Sequence, residues 1–399
     1  MAPSSQEAST DPPGRGALRG LVVADFSRVL AGPLASQILG DLGADVIKIE
    51  RPGGGDDTRA WGPPWLGGES TYYLGLNRNK RSIALDLTGE RDREVARRIV
   101  AAADVVIENF RPGTMERFHL AFDDVSPANR GLVFCSITGF GSAAEALGLG
   151  GYDFLIQAMS GLMSVTGASD GEPTKVAVAL IDKIAGLYAA VAILAALADR
   201  DRTGAGQRVE VSLMGAGLAG LLNAGSGWLN AGVQPPRMGN RHPSIAPYQT
   251  YRAADGPFAI ATGNQGQWRA LCEVVGLPGL EDDPRFLTNA DRVANADDLE
   301  AVLDDALSRR PAAAWIDAFG AAGVPAGPIN DLGGAFALAE AIGIDAVWEL
   351  DGVKTTANPI RMASSPVSNR RRPPRLDEHR AEVLAWLDHL DARPPSGAG

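Results

Sequence analysis

The sequence predicts an α/β fold: a doubly wound large domain around a parallel sheet, with a smaller α/β domain inserted towards its carboxyl end. Three observations predict it. Short apolar runs rich in β-branched residues alternate with helical patterns along the first part of the chain. A long apolar helix and one more strand, QRVEVSL, follow them. A proline- and glycine-rich stretch, VQPPRMGNRHPSIAPYQ, then sets off a second, shorter α/β pattern.

The elements follow in order. GLVVADF (20–26) is a strand and leads through SRVLAGP into PLASQILGDLG, whose spacing is helical. Pro33 suits a first helical turn and Gly43 a helix end. VIKIE (46–50) is the next strand, so the unit reads strand, helix, strand, a parallel crossover. RSIALDL (81–87) repeats the strand, residues 89–103 form a charged amphipathic helix, and VVIENF (105–110) and LVFCSIT (132–138) are buried strands. Alternation of this kind places ligand sites at the carboxyl ends of the strands.

From Tyr152, YDFLIQAMSGLMSVTG carries apolar residues at helical spacing, and Gly167–Pro173 is a loop. The run Ile184–Ala198 is fifteen residues long, short of the ~20 that span a bilayer, so it reads as a core helix rather than a membrane segment. The domain plan is a large domain over 18–225 and again over 330–390, and a small domain over 230–325. Within the small domain YRAADGPFAIATGN is a hairpin, helices lie near 296–308 and 312–322, and VPAGPIN (324–330) is the exit. Residues 1–17, without an apolar targeting core, and residues 391–399 read as disordered tails.

A chain of 399 residues buries enough core to need neither disulfides nor a structural metal. Lys and Arg number 37 against 48 Asp and Glu, a net charge of −11, which argues against a nucleic-acid partner. Two cysteines, Cys135 and Cys272, exclude a thiolate zinc site and fit a reducing, cytoplasmic setting. GRGALRG (14–20) has the wrong spacing and position for a dinucleotide loop, and neither GxxxxGK[ST] nor GxSxG occurs. His119, His242, His379 and His389 make no metal pattern, so no metal site is expected.

Two features point to chemistry. Arg51, Arg59, Arg78, Lys80, Arg81, Arg111 and Arg117 flank predicted strand ends, where they form either a polyphosphate site or a scatter of surface charge. Asp182 opens the apolar helix IDKIAGLYAAVAILAAL. It reads as a plain N-cap or as a carboxylate kept ionised by the helix dipole and presented as a nucleophile.

Taken together, DFSRVLAGPLASQILGDLGADVIKIERPGGGD, NRNKRSIALDL, ENFRPG, GYDFLIQAMSGLMSVTG, ALIDKIAGLYAA, RTGAGQRVEVSL and VPAGPI resemble the class III CoA-transferases, from about residue 18 to 390. This family includes formyl-CoA transferase, carnitine CoA-transferase and α-methylacyl-CoA racemase. The resemblance implies a Rossmann-like large domain and an open-ring subunit interlocked with its copy in a homodimer. It implies that Asp182 attacks the donor acyl-CoA thioester, giving an anhydride and then an aspartyl-CoA thioester, with no permanently bound cofactor. Coenzyme A and acyl-CoA are then substrates, small carboxylic acids are the other partners, and no membrane is involved. It also implies CoA contacts at Val29, Leu30, Ala31, Arg51, Leu85, Asp86, Leu87, Thr88, Asn109, Phe110, Arg111, Arg117 and Tyr152. Leu30 stands where formyl-CoA transferases carry a substrate-holding glutamine, which argues against oxalate- or formate-type specificity. Tyr152 stands where the racemases carry a histidine, and a phenol of pKa ~10 is a poor α-proton base at neutral pH. The racemase reading therefore ranks second, and a CoA-binding protein without turnover third. GYDFLIQAMSGLMSVTG and PPRMGNRHPSIAPYQTY are similar to the subgroup that moves CoA from succinyl-CoA to dicarboxylates. Arg237, Asn240, Arg241 and His242 are its candidate anchors for a second carboxylate, or else part of a plain structural loop.

Overall fold

The computed structural model describes residues 16–146 and 148–392. Of the expected tails, residues 1–15 and 393–399 lie outside the described residues. Gly16 and Ala17, however, are tied into the fold. The Leu18 amide donates to the Leu42 carbonyl at 2.9 Å, and Gly16 packs so closely on Gly43 that a Cβ would stand 2.5 Å from its Cα.

Packing divides the chain into two units. Unit 1 holds the chain through Ser160, Ala177–Leu222 and the stretch from Asp345 onward; unit 2 holds Gly161–Val176 and Asn223–Ile344. These limits are wider for unit 2 than the expected 230–325, with the return at 345 rather than 330. The reason is local bonding: the Gly239 amide reaches Gly167 O and Arg237 reaches Gly171 O, fastening 161–176 to the proline-rich loop.

Unit 1 begins with β1 (Val22–Asp25), α1 (Ala31–Asp41), β2 (Asp45–Glu50), β3 (Lys80–Ala84), α2 (Glu90–Ala102), β4 (Val105–Glu108) and β5 (Val133–Thr138). It continues with α3 (Asp153–Met159), α4 (Leu180–Thr203), β6 (Arg208–Ser212) and α5 (Leu213–Gly220). The six strands form one sheet, ordered β3-β2-β1-β4-β5-β6, and every pairing is parallel. The strands are covered on both faces, so β4 and β5 are buried throughout, in the manner of parallel sheets. Strand order reverses between β1 and β4, which opens a crevice at their carboxyl ends.

α4 is long and apolar enough to cross a bilayer by length and composition, with a mean hydropathy of 1.9. Here it packs on α1, α5, β5 and β6. Gly186 makes that approach possible, since a Cβ there would lie 2.7 Å from the Ala31 carbonyl oxygen. Asp182 sits four residues earlier, on the same face of the helix.

Unit 2 contains β7 (Tyr248–Ala253) and β8 (Gly256–Ala261), an antiparallel hairpin, then α6 (Gln265–Val274), α7 (Ala296–Leu307), α8 (Ala312–Ala321), β9 (Ala326–Pro328) and α9 (Leu332–Ala341). β9 pairs with β8, and an aromatic core of Phe258, Trp268, Phe286, Trp315 and Phe319 fills the space beneath. The chain then returns to unit 1 as the hairpin β10 (Val347–Leu350) and β11 (Val353–Thr356) and the final helix α10 (Arg380–Asp391). The segment before α10 covers the outer edge of β3. Ser82 N donates to His379 Nδ1, His379 N to Ser82 O and Ala84 N to Asp377 Oδ1, so the edge strand keeps no open ladder there.

Candidate active site

β1 runs out through Phe26 and Ser27 into the turn Arg28–Leu30, and β4 runs out into Asn109 and Phe110. Asn109 ties the two ends: it accepts from Arg28 N at 2.8 Å and donates to Arg28 O at 2.7 Å. An open cleft of about 170 Å³ lies there, lined by Val29, Leu30, Ala31, Asn109, Phe110, Arg111, Tyr152 and Asp182. A second cavity of about 180 Å³ is lined by Arg51, Leu85, Asp86, Leu87, Thr88 and Phe110. Arg28 and Phe110 line both, so the two cavities are neighbours. Arg117 lines neither; it is exposed and lies over the ring of its neighbour Phe118.

Asp182 is not an N-cap. α4 is capped at Ala179, and the amides of Ile181 and Asp182 donate instead to Asp153 Oδ1, at 2.8 and 3.2 Å. With those amides taken, the dipole of α4 does not hold Asp182 ionised. Burial, reinforced by the neighbouring Asp153 carboxylate, pushes Asp182 up to about 7. A carboxylate of this kind is half-ionised at neutral pH and more basic than an ordinary one, which suits a nucleophile or a base. Lys183 is exposed.

The row of basic residues divides. Arg51 and Arg111 border the cavities; Arg51 binds Gly55 O at 3.1 Å and Asp57 at 2.5 Å. Arg78, Lys80 and Arg81 precede or open β3, so their backbones lie at the amino ends of the parallel strands, although the buried Lys80 amine reaches Asp25 at the end of β1. They are committed to Asp41, Asp25 and Asp45 respectively. Arg59 is paired with Glu50 and the Tyr73 hydroxyl. The polyphosphate reading therefore keeps fewer cations than the strand pattern implied.

In unit 2, Arg237, Asn240 and Arg241 line one cavity of about 600 Å³. Arg241 is occupied by Asp297, Glu300 and Gln249. His242 does not line it; its Nδ1 accepts from Ser244 N and its ring packs 5.2 Å from Tyr248.

Three residues of the site carried no individual weight in the sequence, and a fourth, Asp153, figured there only as the neighbour of Tyr152. Arg28 lines both cavities, lying 5.3 Å over Phe110 and pairing with Asp57 at 3.2 Å. Asp153 caps α4. Tyr72 is pushed up to about 12 by burial and by the Asp182, Asp153 and Asp56 carboxylates, so it stays a neutral hydroxyl beside them. Gly186 admits α1. Only Gly186 had a local signal, a glycine inside an apolar helix, and a reason for it needed the packing partner.

A six-stranded parallel sheet with a cleft at its switch point, lined by a carboxylate of raised pKa, belongs to the α/β class of ligand-binding folds. Comparison with known proteins narrows that class. The sequence profile of the CoA-transferase family III matches residues 18–380. A succinate–glutarate CoA-transferase of Agrobacterium fabrum is 41% identical, over 96% of this chain and 98% of its own length. An acetyl-CoA:oxalate CoA-transferase of Acetobacter aceti is 42% identical, over 92% and 95%. The crystal structure of a CAIB/BAIF family protein from Brucella suis superposes with a TM-score of 0.86 at 43% identity, over 94% of this chain and all of that one. The chain belongs to the CoA-transferase family III and is a CoA-transferase.

Proposed function

We propose that the enzyme moves CoA from succinyl-CoA to a second dicarboxylic acid through covalent intermediates on Asp182. The observation that carries the reading is Asp182 itself: a carboxylate raised to about 7, lining a cleft that neighbours a second cavity across Arg28 and Phe110. An Asp182 oxygen attacks the thioester carbonyl carbon, the C–S bond breaks, and CoA leaves as thiolate from a mixed anhydride. The thiolate then attacks the aspartyl carbonyl and expels succinate, leaving an aspartyl-CoA thioester. The acceptor carboxylate attacks that thioester, CoA leaves again, and its return to the acceptor carbonyl frees Asp182. Each step replaces one acyl bond by another, and none needs an outside oxidant or reductant.

Arg51 and Leu85–Thr88 serve the nucleotide end of CoA, and Val29–Ala31 the thioester end. Within unit 2, Arg237 and Asn240 are the candidates for binding a carboxylate, since Arg241 is already neutralised. Racemisation is disfavoured because Tyr152 is 64% exposed and Asp153 is spent on capping α4, so neither forms an acid/base pair. Cys135 and Cys272 are both free, in keeping with a cytoplasmic enzyme. Exposed apolar side chains on α4, Leu187, Tyr188 and Val191, fit an interlocked homodimer. Such a dimer exchanges subunits only as fast as one chain unfolds.

The test is hydroxylamine trapping during turnover with succinyl-CoA, followed by mass spectrometry. A hydroxamate on Asp182 supports the reading, and α-proton exchange in deuterium oxide without acyl transfer would replace it with the racemase. A panel of acceptors including glutarate, malate, citramalate and oxalate then names the acid. Transfer to no dicarboxylate would remove the acceptor class.

A further inference from the structure

The turn that carries the thioester-end residues is pinned on both sides of two consecutive peptides, Ser27–Arg28 and Arg28–Val29. Lys48 Nζ donates to Ser27 O at 2.9 Å, Asn109 holds both sides of Arg28, and Asp56 Oδ1 accepts from Val29 N at 3.2 Å. Val29 needs the restraint. Its φ is +70°, the left-handed region that β-branched residues avoid because Cβ meets the adjoining carbonyl. Backbone held in such a region persists only where its surroundings over-determine it, and such sites cluster at functional clefts. The turn is also tight: a Cβ at Gly32 would lie 2.2 Å from Ser27 Cβ.

Asp56 is built for this task. Its Oδ1 also accepts from the Thr58 amide at 3.0 Å and the Thr58 hydroxyl at 2.8 Å, and its Oδ2 meets Lys48 at 2.9 Å. The side chains of Asp56 and Lys48 are both fully withdrawn from water. A buried pair of this kind is a weak source of stability compared with apolar packing, so its value lies in what it orients. What it orients is the Ser27–Val29 segment, which feeds the first turn of α1, where Leu30 offers no side-chain cap. Leu30 and Ala31 line the same cleft as Asp182.

We propose that Asp56, locked by Lys48, is a positioning residue that holds Val29 in its left-handed conformation and so sets the opening turn of α1 against the Asp182 carboxylate. This rests on the reading of Asp182 as the nucleophile. Asp56 borders the second cavity, but both its carboxylate oxygens are taken by Val29 N, Thr58 and Lys48, so in this scheme it positions and does not react. Its loss misplaces the reacting groups without removing any of them, and misplacement by about an ångström costs on the order of 10²-fold in rate.

The experiment is a double-mutant cycle. Glycine adopts the left-handed region freely, so Val29→Gly relieves the need for a clamp. In the native background Asp56→Asn lowers kcat about 10²-fold, while KM for succinyl-CoA changes by less than about threefold. In the Val29→Gly background the same substitution costs about tenfold or less. Equal cost in both backgrounds, or a loss confined to KM, would overturn the proposal. If Asp56→Asn does not fold, as judged by its thermal melt, Asp56→Glu keeps a charge opposite Lys48 and runs the same comparison. Hydroxylamine trapping on the native protein separates the two layers. No adduct on Asp182 removes the nucleophile reading and this inference with it, whereas an adduct together with equal Asp56 costs removes this inference alone.

Discussion

Asp182, partly exposed in the cleft, and Asp56, closed off from water, are both carboxylates in desolvating surroundings, yet their protons behave in opposite ways. Burial pushes Asp182 up, Asp153 adds to the push, and the group reaches about 7. Burial pushes Asp56 up as well, but the Lys48 charge and the Thr58 donors outweigh it and hold it at about 2. The difference is a buried cation. A carboxylate given one becomes part of the frame, and a carboxylate denied one stays reactive. Glu50 repeats the first case, with Arg59, Lys48 and Ser82 drawing it down against its burial.

The sharpest way to break the comparison is to remove each acid's character in turn. Asp182→Asn keeps the shape and loses the nucleophile. Transfer should fall by about 10³-fold or more, with CoA binding by calorimetry largely kept. Retention of more than a few per cent of turnover would show that Asp182 is not the reactive group.

Lys48→Met strikes the frame. It leaves Asp56 buried without its cation, and urea unfolding should show a loss of about 3–5 kcal/mol. Adding Asp56→Leu should return part of that loss, because an apolar pair needs no partner. A Lys48→Met protein of unchanged stability would mean that the pair is dispensable.

The proton on Asp182 can be read directly. The carboxylate, not the acid, attacks, so kcat/KM should rise with pH through about 7. Stability runs the other way. The usual value is 3.8, so the folded state holds this proton more tightly than the unfolded chain. Folding therefore loses stability as pH climbs from about 4 to about 7, and the loss is complete above that. The shift bounds it at about 4 kcal/mol. Asp182→Asn escapes it, so its stability advantage over the native protein should be larger at pH 8 than at pH 5. An advantage that does not change with pH would place the Asp182 proton elsewhere.

Gly186→Ala asks whether the approach of α4 to α1 matters to the cleft. A Cβ 2.7 Å from Ala31 O forces the helices apart. A fall of about tenfold in kcat is expected, together with a lowered thermal melt, since overpacking of this kind costs about 1–3 kcal/mol. The smallest effect belongs to Arg51→Ala, remote from the reacting atoms. It should raise KM for CoA thioesters severalfold and leave kcat nearly unchanged, as uniform binding does. An equal loss with dephospho-CoA would show that Arg51 does not meet the 3′-phosphate.

Much of this was legible in the residues alone. β1, β2, β4 and β5 fall within a few residues of their apolar runs, and α2 spans 90–102 where 89–103 was expected. Asp182 stood out as a charge within an apolar helix. The basic residues misled, because a cation beside a strand can lie at either end of it. Arg78 precedes β3 and Lys80 opens it, and in a parallel sheet the start of a strand lies away from the crevice. Their acids, Asp41 and Asp25, lie 37 and 55 residues away in the chain, beyond the reach of any local pattern.

The sequence by itself determined the strands and helices, the parallel sheet and the family, because periodicity and motif are local and survive without a fold. It also singled out the carboxylate. Only the tertiary structure decided which charges are spent in the interior, that Asp153 rather than Asp182 closes the start of α4, and that Val29 is held with φ at +70°. Each of these depends on distance in space. Electrostatic coupling and burial act through the few ångströms around an atom, and folding alone brings Lys48, Asp56 and Val29 within that range.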